Sequence, residues 1–263
     1  MIDLKNFNGF FLIAGPCVLE SYEKAREIAV RLQDMCNELA IPYIFKGSYD
    51  KANRSRLDSY RGPGIDKGLE ILHRLKDDVE TVMSDVHDVD EVLKAAEVLD
   101  IIQIPAFLCR QTDLLVEIAM EGRTINIKKG QFLAPWDMAN VVEKIVKSGN
   151  SDILLTERGT CFGYNNLVVD FRSLAIMKEI GYPVVFDATH SVQLPGKGGQ
   201  SEYVPMLARA AVGAGVDGIF MEVYPEPSEA LCDGANSLRL DLVEGLLREL
   251  KIINLWRSNG KNT

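Results

Sequence analysis

Short runs of β-branched, aliphatic and aromatic residues alternate along the chain with longer stretches whose apolar residues recur at helical spacing. Strands are predicted over Phe10–Ala14, Tyr43–Ser48, Thr81–Val86, Ile101–Pro105, Thr124–Lys128, Ile153–Glu157, Val184–Ala188 and Gly218–Val223. A helical pattern follows each of them, for example Tyr22–Leu39 with Ser21 as its N-cap, or Asp90–Val98. Eight such pairs in 263 residues give about 33 residues per unit, close to the roughly 30 of a (β/α)8 barrel. The predicted class is therefore α/β with (β/α)8 TIM-barrel architecture. A doubly wound open sheet is the rival, but no G-x-G-x-x-G follows the first strand.

Composition changes this picture little: 47% hydrophobic and 25% charged residues are ordinary for a globular chain that can bury a full core. With no Pro/Gly-rich linker and no shift in composition, a single catalytic domain over 1–263 is expected. The early apolar run Phe10–Ala14 lacks a basic leader and is far too short for a membrane span, so cytoplasmic residence is expected. Cys17, Cys36, Cys109, Cys161 and Cys232 form no CxxC pair, and reduced thiols are the expectation. A net charge of −9 argues against nucleic-acid or membrane-surface partners, so any anion site must gather its Lys and Arg locally.

In a barrel, functional side chains come from the C-terminal ends of strands and the loops beyond them. Here every predicted strand ends in polar chemistry. One group is basic: Lys46, Lys51, Arg54, Lys128 and Arg158, with Asn53 and Ser55 as neutral partners. Arg offers a planar fork for phosphate or carboxylate and Lys a compact charge, so this set suits two phosphorylated small molecules. The second group, Cys17, His190, Glu222 and Asp233, follows strands one, seven and eight, which are neighbours in a closed barrel. A thiolate, an imidazole and two carboxylates would suit a divalent transition metal; a buried thiol and a hydrogen-bonded histidine are the plain alternatives. Taken singly, each strand-end charge also reads as solvated. His73 reads as a surface or boundary residue, Trp136 and Trp256 as packing a loop and the last helix, and Cys36, Cys109 and Cys161 as having no role.

The run Phe45-Lys46-Gly47-Ser48-Tyr49-Asp50-Lys51-Ala52-Asn53-Arg54-Ser55 resembles the signature of the 3-deoxy-D-manno-octulosonate 8-phosphate synthase family. The likeness continues through Ser84-Asp85-Val86-His87, Gln103-Ile104-Pro105-Ala106-Phe107, Asn126-Ile127-Lys128-Lys129-Gly130, Thr156-Glu157-Arg158-Gly159 and Phe186-Asp187-Ala188-Thr189-His190, covering the chain from Phe11 to about Leu246.

The resemblance implies a (β/α)8 barrel that joins phosphoenolpyruvate to arabinose 5-phosphate, giving the eight-carbon sugar acid phosphate of lipopolysaccharide synthesis and inorganic phosphate. It implies that Lys46, Lys51, Gln103, Lys128 and Arg158 hold phosphoenolpyruvate and that Asn53, Arg54 and Ser55 hold the pentose phosphate. It implies a homotetramer in which Arg110 reaches a neighbouring subunit's site. The family has a metal-dependent branch with Cys in the first-strand motif and a metal-independent one with Asn; Cys17 matches the former. Cys17, His190, Glu222 and Asp233 are then the implied ligands of a divalent metal, whether Zn, Fe, Mn, Co or Cd.

In this reaction C3 of the enol phosphate attacks an aldehyde while C2, becoming electron-poor, accepts water. The metal would polarise the aldehyde or activate the water. His87 and Asp85 are the candidates for proton handling, so the catalytic set comprises Cys17, Asp85, His87, His190 and Asp233. Tyr224 stands where the family usually has His, Arg56 where a second Ser is common and Arg239 where Pro is usual, and Ser191–Ser201 is a shorter loop; all four bear on substrate preference and loop closure. The rivals are the seven-carbon synthase acting on erythrose 4-phosphate, whose second-strand loop normally carries Lys-Pro-Arg-Thr, a Schiff-base aldolase using Lys46 or Lys128, and a non-catalytic phosphosugar-binding barrel.

Overall fold

The computed structural model describes residues 9–195 and 198–260. Eight parallel strands run in order β1 (Phe11–Gly15), β2 (Tyr43–Lys46), β3 (Val82–Asp85), β4 (Ile101–Ile104), β5 (Thr124–Lys128), β6 (Ile153–Glu157), β7 (Val184–Asp187) and β8 (Gly218–Tyr224). The sheet closes on itself, with Phe11 to Gly15 in register with Gly218 to Glu222. The connecting helices are α1 (Tyr22–Leu39), α2 (Ile65–Leu75), α3 (Val89–Val98), α4 (Thr112–Met120), α5 (Met138–Lys147), α6 (Arg172–Lys178), α7 (Val204–Ala214) and α8 (Val243–Gly260). The chain folds as the (β/α)8 barrel its patterning predicts. Among the described residues, no helix is long and apolar enough to cross a membrane.

Helix starts follow local chemistry. The Ser21 hydroxyl accepts from Lys24 N at 3.1 Å, opening α1 where the sequence predicts, and Asp88 accepts from Asp90 N at 3.2 Å, so α3 begins one residue early. Several predicted strands are trimmed, Tyr43–Ser48 to Tyr43–Lys46 for instance: Gly47 N still donates to Met83 O at 3.2 Å, but Ser48 bridges to Val18 in the loop after β1. A hairpin between β6 and α6 (Thr160–Gly163 with Asn166–Val168) was not anticipated: its residues are mostly exposed, and no buried face imposes alternation on the sequence. Gly196 and Lys197, inside the Ser191–Ser201 loop, and residues 1–8 and 261–263 of the expected 1–263 domain lie outside the described residues.

Strand alternation produces two packed regions. Residues such as Leu12, Phe45, Ile102, Ile125, Leu155 and Ile219 face outward into the core shared with the helices. Phe11, Ile13, Ile44, Met83, Ile101, Leu154, Val185 and Phe220 face inward and fill the barrel. Continuing the inward parity by two residues toward the C-terminal end turns Ile44 into Lys46, Met83 into Asp85, Ile101 into Gln103, Val185 into Asp187 and Phe220 into Glu222. One periodicity thus builds both the apolar plug and the polar mouth above it.

Trp136 and Trp256 do not pack as expected: they are 63% and 77% exposed in the single chain. His73 is exposed on α2. All five cysteines are free thiols, with Cys36 and Cys109 buried and Cys161 exposed.

Candidate active site

At Gly15 any side chain would collide with the backbone carbonyl of Lys46, so glycine lets the end of β1 lie directly against β2. That approach brings the Cys17 loop beside Lys46, whose Nζ lies 3.4 Å from the Cys17 carbonyl oxygen. Lys46 is almost fully buried and lies between two carboxylates, 3.4 Å from Asp85 and 3.8 Å from Glu222. Lys51, arriving from the β2 loop, straddles the same pair at 3.6 and 3.7 Å. Burial alone would depress the Lys51 ammonium, but the facing Cys17, Asp85 and Glu222 hold its pKa well above the usual lysine value.

A directional chain of hydrogen bonds crosses four strands at this level. The Thr156 hydroxyl donates to Asn126 Oδ1 at 2.6 Å, Asn126 Nδ2 donates to Gln103 Oε1 at 2.9 Å, and Gln103 Nε2 donates to Asp85. Ser48 donates to the other Asp85 oxygen. Burial opposes ionisation of Asp85, yet Lys46 and Lys51 keep its carboxyl well below the ordinary range. Asp85 is therefore held as an ionised hydrogen-bond acceptor. Among the described residues His87 Nδ1 makes no hydrogen bond; it lies 3.6 Å from Glu91, whose carboxylate accepts from the His87 backbone N–H at 2.9 Å and from the Tyr49 hydroxyl at 2.8 Å.

On the far strands, Lys128 pairs with Asp187 and stands 3.4 Å from the centroid of the Phe220 ring. Burial lowers the Lys128 pKa against the pull of Asp187. Arg158 projects from the turn after β6 and donates to Gln193 Oε1 at 3.0 Å. Its neighbour Glu157 points the other way, accepting from the backbone N–H groups of Arg158 and Gly159 at 3.0 and 2.7 Å and pairing with the fully buried Lys129.

The potential metal ligands meet beside these cations. His190 Nδ1 is 2.7 Å from Asp187, and its Nε2 faces Glu222 at 3.7 Å. Donor atoms of His190, Glu222 and Asp233 lie within 4.8 Å of one another, and so do those of Cys17, Cys232 and Asp233. The four residues expected from sequence, joined by Cys232, thus fall into two triads that share Asp233. Cys232, which sequence reasoning left without a role, lies 3.0 Å from the Cys17 sulfur and accepts from Arg54 at 2.8 Å. Its adjacency to Asp233 was the available signal. Both Glu222 oxygens are fully buried and accept no hydrogen bond among the described residues, so a cation would satisfy lone pairs that otherwise carry an unmet desolvation cost. The S/N/O donor set fits a divalent transition metal.

Lys46, Lys51, Arg54, Lys128 and Arg158 line one cavity of about 520 Å³, together with Asn53, Ser55, Gln103 and His87. Cys17 and Glu222 lie beneath its surface. Arg110 stands apart, exposed on the loop after β4. Of the sequence departures, Arg56 lines the cavity, whereas Arg239 is exposed, paired with Asp241 at 2.7 Å, and Tyr224 is buried outside it.

Fold and site together define a (β/α)8 barrel whose C-terminal mouth is equipped for anionic substrates. The chain belongs to the DAHP synthetase I family, whose pattern matches residues 6–254. It is 61% identical over 249 residues to the 2-dehydro-3-deoxyphosphooctonate aldolase of Pelobacter propionicus, covering 92% of each chain. Proteins of the same name from Geotalea daltonii and Geobacter sulfurreducens are each 59% identical, again over 92% of both chains.

Proposed function

We propose that this enzyme condenses phosphoenolpyruvate with D-arabinose 5-phosphate and water to give 3-deoxy-D-manno-octulosonate 8-phosphate and phosphate, within one catalytic domain spanning 1–263. The observation that carries the reading is the convergence of five cations on one cavity, with Asn53 and Ser55 beside Arg54. That is more positive charge than one monophosphate requires and suits two mutually repelling anions. Relatives about 60% identical bear the corresponding enzyme name.

Lys46, Lys51, Gln103, Lys128 and Arg158 bind phosphoenolpyruvate, and Asn53, Arg54 and Ser55 bind the pentose phosphate. Holding both in one geometry turns a bimolecular encounter into a unimolecular step, worth up to about 7–11 kcal/mol of barrier. The Thr156–Asn126–Gln103 chain orients the Gln103 amide, and Asp85 balances the charge of Lys46 and Lys51. His87, the less committed group, exchanges the proton of the attacking water.

Cys17, His190, Glu222 and Asp233 would hold a divalent metal, with Cys232 adjoining. When bound, it would supply a Lewis acid for the aldehyde oxygen or lower the pKa of the attacking water. In this reading His190 and Asp233 contribute to catalysis as ligands.

A homotetramer with Arg110 completing a neighbouring site is supported by the exposed aromatic residues Phe107, Phe132, Phe162 and Tyr164 on the loops after β4, β5 and β6. Cytoplasmic residence is supported by five free thiols.

The decisive experiment incubates the purified protein with both substrates and each divalent metal in turn and measures released phosphate. Release that requires arabinose 5-phosphate supports the assignment. A preference for erythrose 4-phosphate would instead select the seven-carbon reaction, a borohydride-trapped pyruvyl lysine would select a Schiff-base mechanism, and no turnover with any metal would leave a binding barrel.

A further inference from the structure

Tyr224 ends β8 and does not line the cavity. Its hydroxyl donates to Glu20 Oε2 at 2.7 Å, and the other Glu20 oxygen accepts from the backbone N–H of Leu231 at 3.0 Å. Glu20 belongs to the β1 loop, three residues after Cys17. Leu231 belongs to the β8 loop, two residues before Asp233. One carboxylate thus clasps together the two loops that carry the thiol and the carboxylate of the metal cluster.

The clasp has a fixed base. Leu19, next to Glu20, is fully buried; its N–H donates to the Ser48 carbonyl at 2.8 Å and its carbonyl accepts from the Tyr60 hydroxyl at 3.1 Å. Tyr224 is 4% exposed at the end of β8, so its hydroxyl is offered from a rigid strand. Asp233 itself sits in a left-handed turn with φ +49°, a conformation aspartate adopts more readily than most residues with a side chain. In this arrangement Asp233 Oδ2 stands 3.5 Å from the Cys17 sulfur.

We propose that Glu20 and Tyr224 are positioning residues that set the separation of Cys17 from Asp233 and thereby the affinity of the site for a divalent metal. The proposal rests on the reading of that cluster as a metal site. Partners outside the ligand shell commonly alter metal affinity by about 10–100-fold. The Tyr224 hydroxyl serves the latch rather than a substrate.

The test uses full-length protein stripped with a chelator and titrated calorimetrically with cadmium ion, with ultraviolet thiolate-to-cadmium absorbance as a second readout and Tm recorded for every variant. Tyr224→Phe, which deletes one oxygen, is expected to weaken cadmium binding about 10-fold while Tm changes by only a few degrees. Glu20→Ala should weaken binding at least as much, and the double variant should be no weaker than Glu20→Ala alone, because both act through one carboxylate. Should Glu20→Ala not fold, Tyr224→Phe decides. An unchanged cadmium affinity in Tyr224→Phe, whatever its Tm, overturns the latch. A wild-type protein that binds no cadmium overturns the metal reading itself.

Discussion

His190 Nδ1 lies 2.7 Å from Asp187 Oδ2, and the same aspartate accepts the His190 backbone N–H at 2.8 Å. Although burial opposes it, the charges of His190 and Lys128 keep Asp187 ionised far below the usual carboxylate range. An ionised carboxylate can only accept, so His190 Nδ1 donates to it, and Nε2, 3.7 Å from Glu222, is the ring nitrogen left to bind a metal. Asp187→Asn removes that bias, and we expect metal affinity to fall by about 10-fold or more. Calorimetric titration of the stripped variant checks this.

Chelation should abolish turnover, and re-addition of one divalent metal should restore it. Cys17→Ala should remove most of the bound metal, read directly by elemental analysis. Full activity in chelated wild-type protein would assign the chain to a metal-independent chemistry.

Arg54 Nη1 lies 2.8 Å from the Cys232 sulfur and 3.6 Å from Asp233, so this guanidinium is held where the Cys17–Cys232–Asp233 triad meets the cavity. Arg54→Ala should raise KM for arabinose 5-phosphate by about 10–100-fold, the loss of one charge-assisted hydrogen bond. KM for phosphoenolpyruvate should change far less. An equal rise in both would remove Arg54 from the pentose subsite.

Glu91 titrates in a usable window. Burial opposes its charge, but hydrogen bonds from His87 and Tyr49 take its pKa from 4.5 to about 2. Because the folded-state value is depressed, its contribution to stability is present above pH 4.5 and is lost as pH falls through about 2. Glu91→Gln should flatten the dependence of the urea midpoint on pH in that window. One proton sets a ceiling of about 1.4 kcal/mol per pH unit, and screening of this partly exposed group lowers it. Parallel slopes in variant and wild type would show that His87 is not held by a charged Glu91.

The barrel was legible from the chain because inward and outward faces repeat every two residues along a strand, and because Lys46, Asp85, Gln103 and Glu222 continue the parity of the apolar residues below them. The place of the Lys51-Ala52-Asn53-Arg54-Ser55 run on the cavity wall was also legible locally, since it follows one strand end. Neighbouring residues were harder to separate. Lys128 and Lys129 read alike in sequence, yet one enters the cavity and the other is buried against Glu157 outside the barrel, because adjacent residues on a strand face opposite sides. Cys232 and Tyr224 were undecidable for a different reason: what each touches is over 170 residues away, at Arg54 and Cys17 for one and at Glu20 for the other. Periodicity along the chain therefore determined the barrel and the polarity of its mouth. The closed register of β8 against β1 decided which thiols, carboxylates and hydroxyls of the two loops lie within reach of one another.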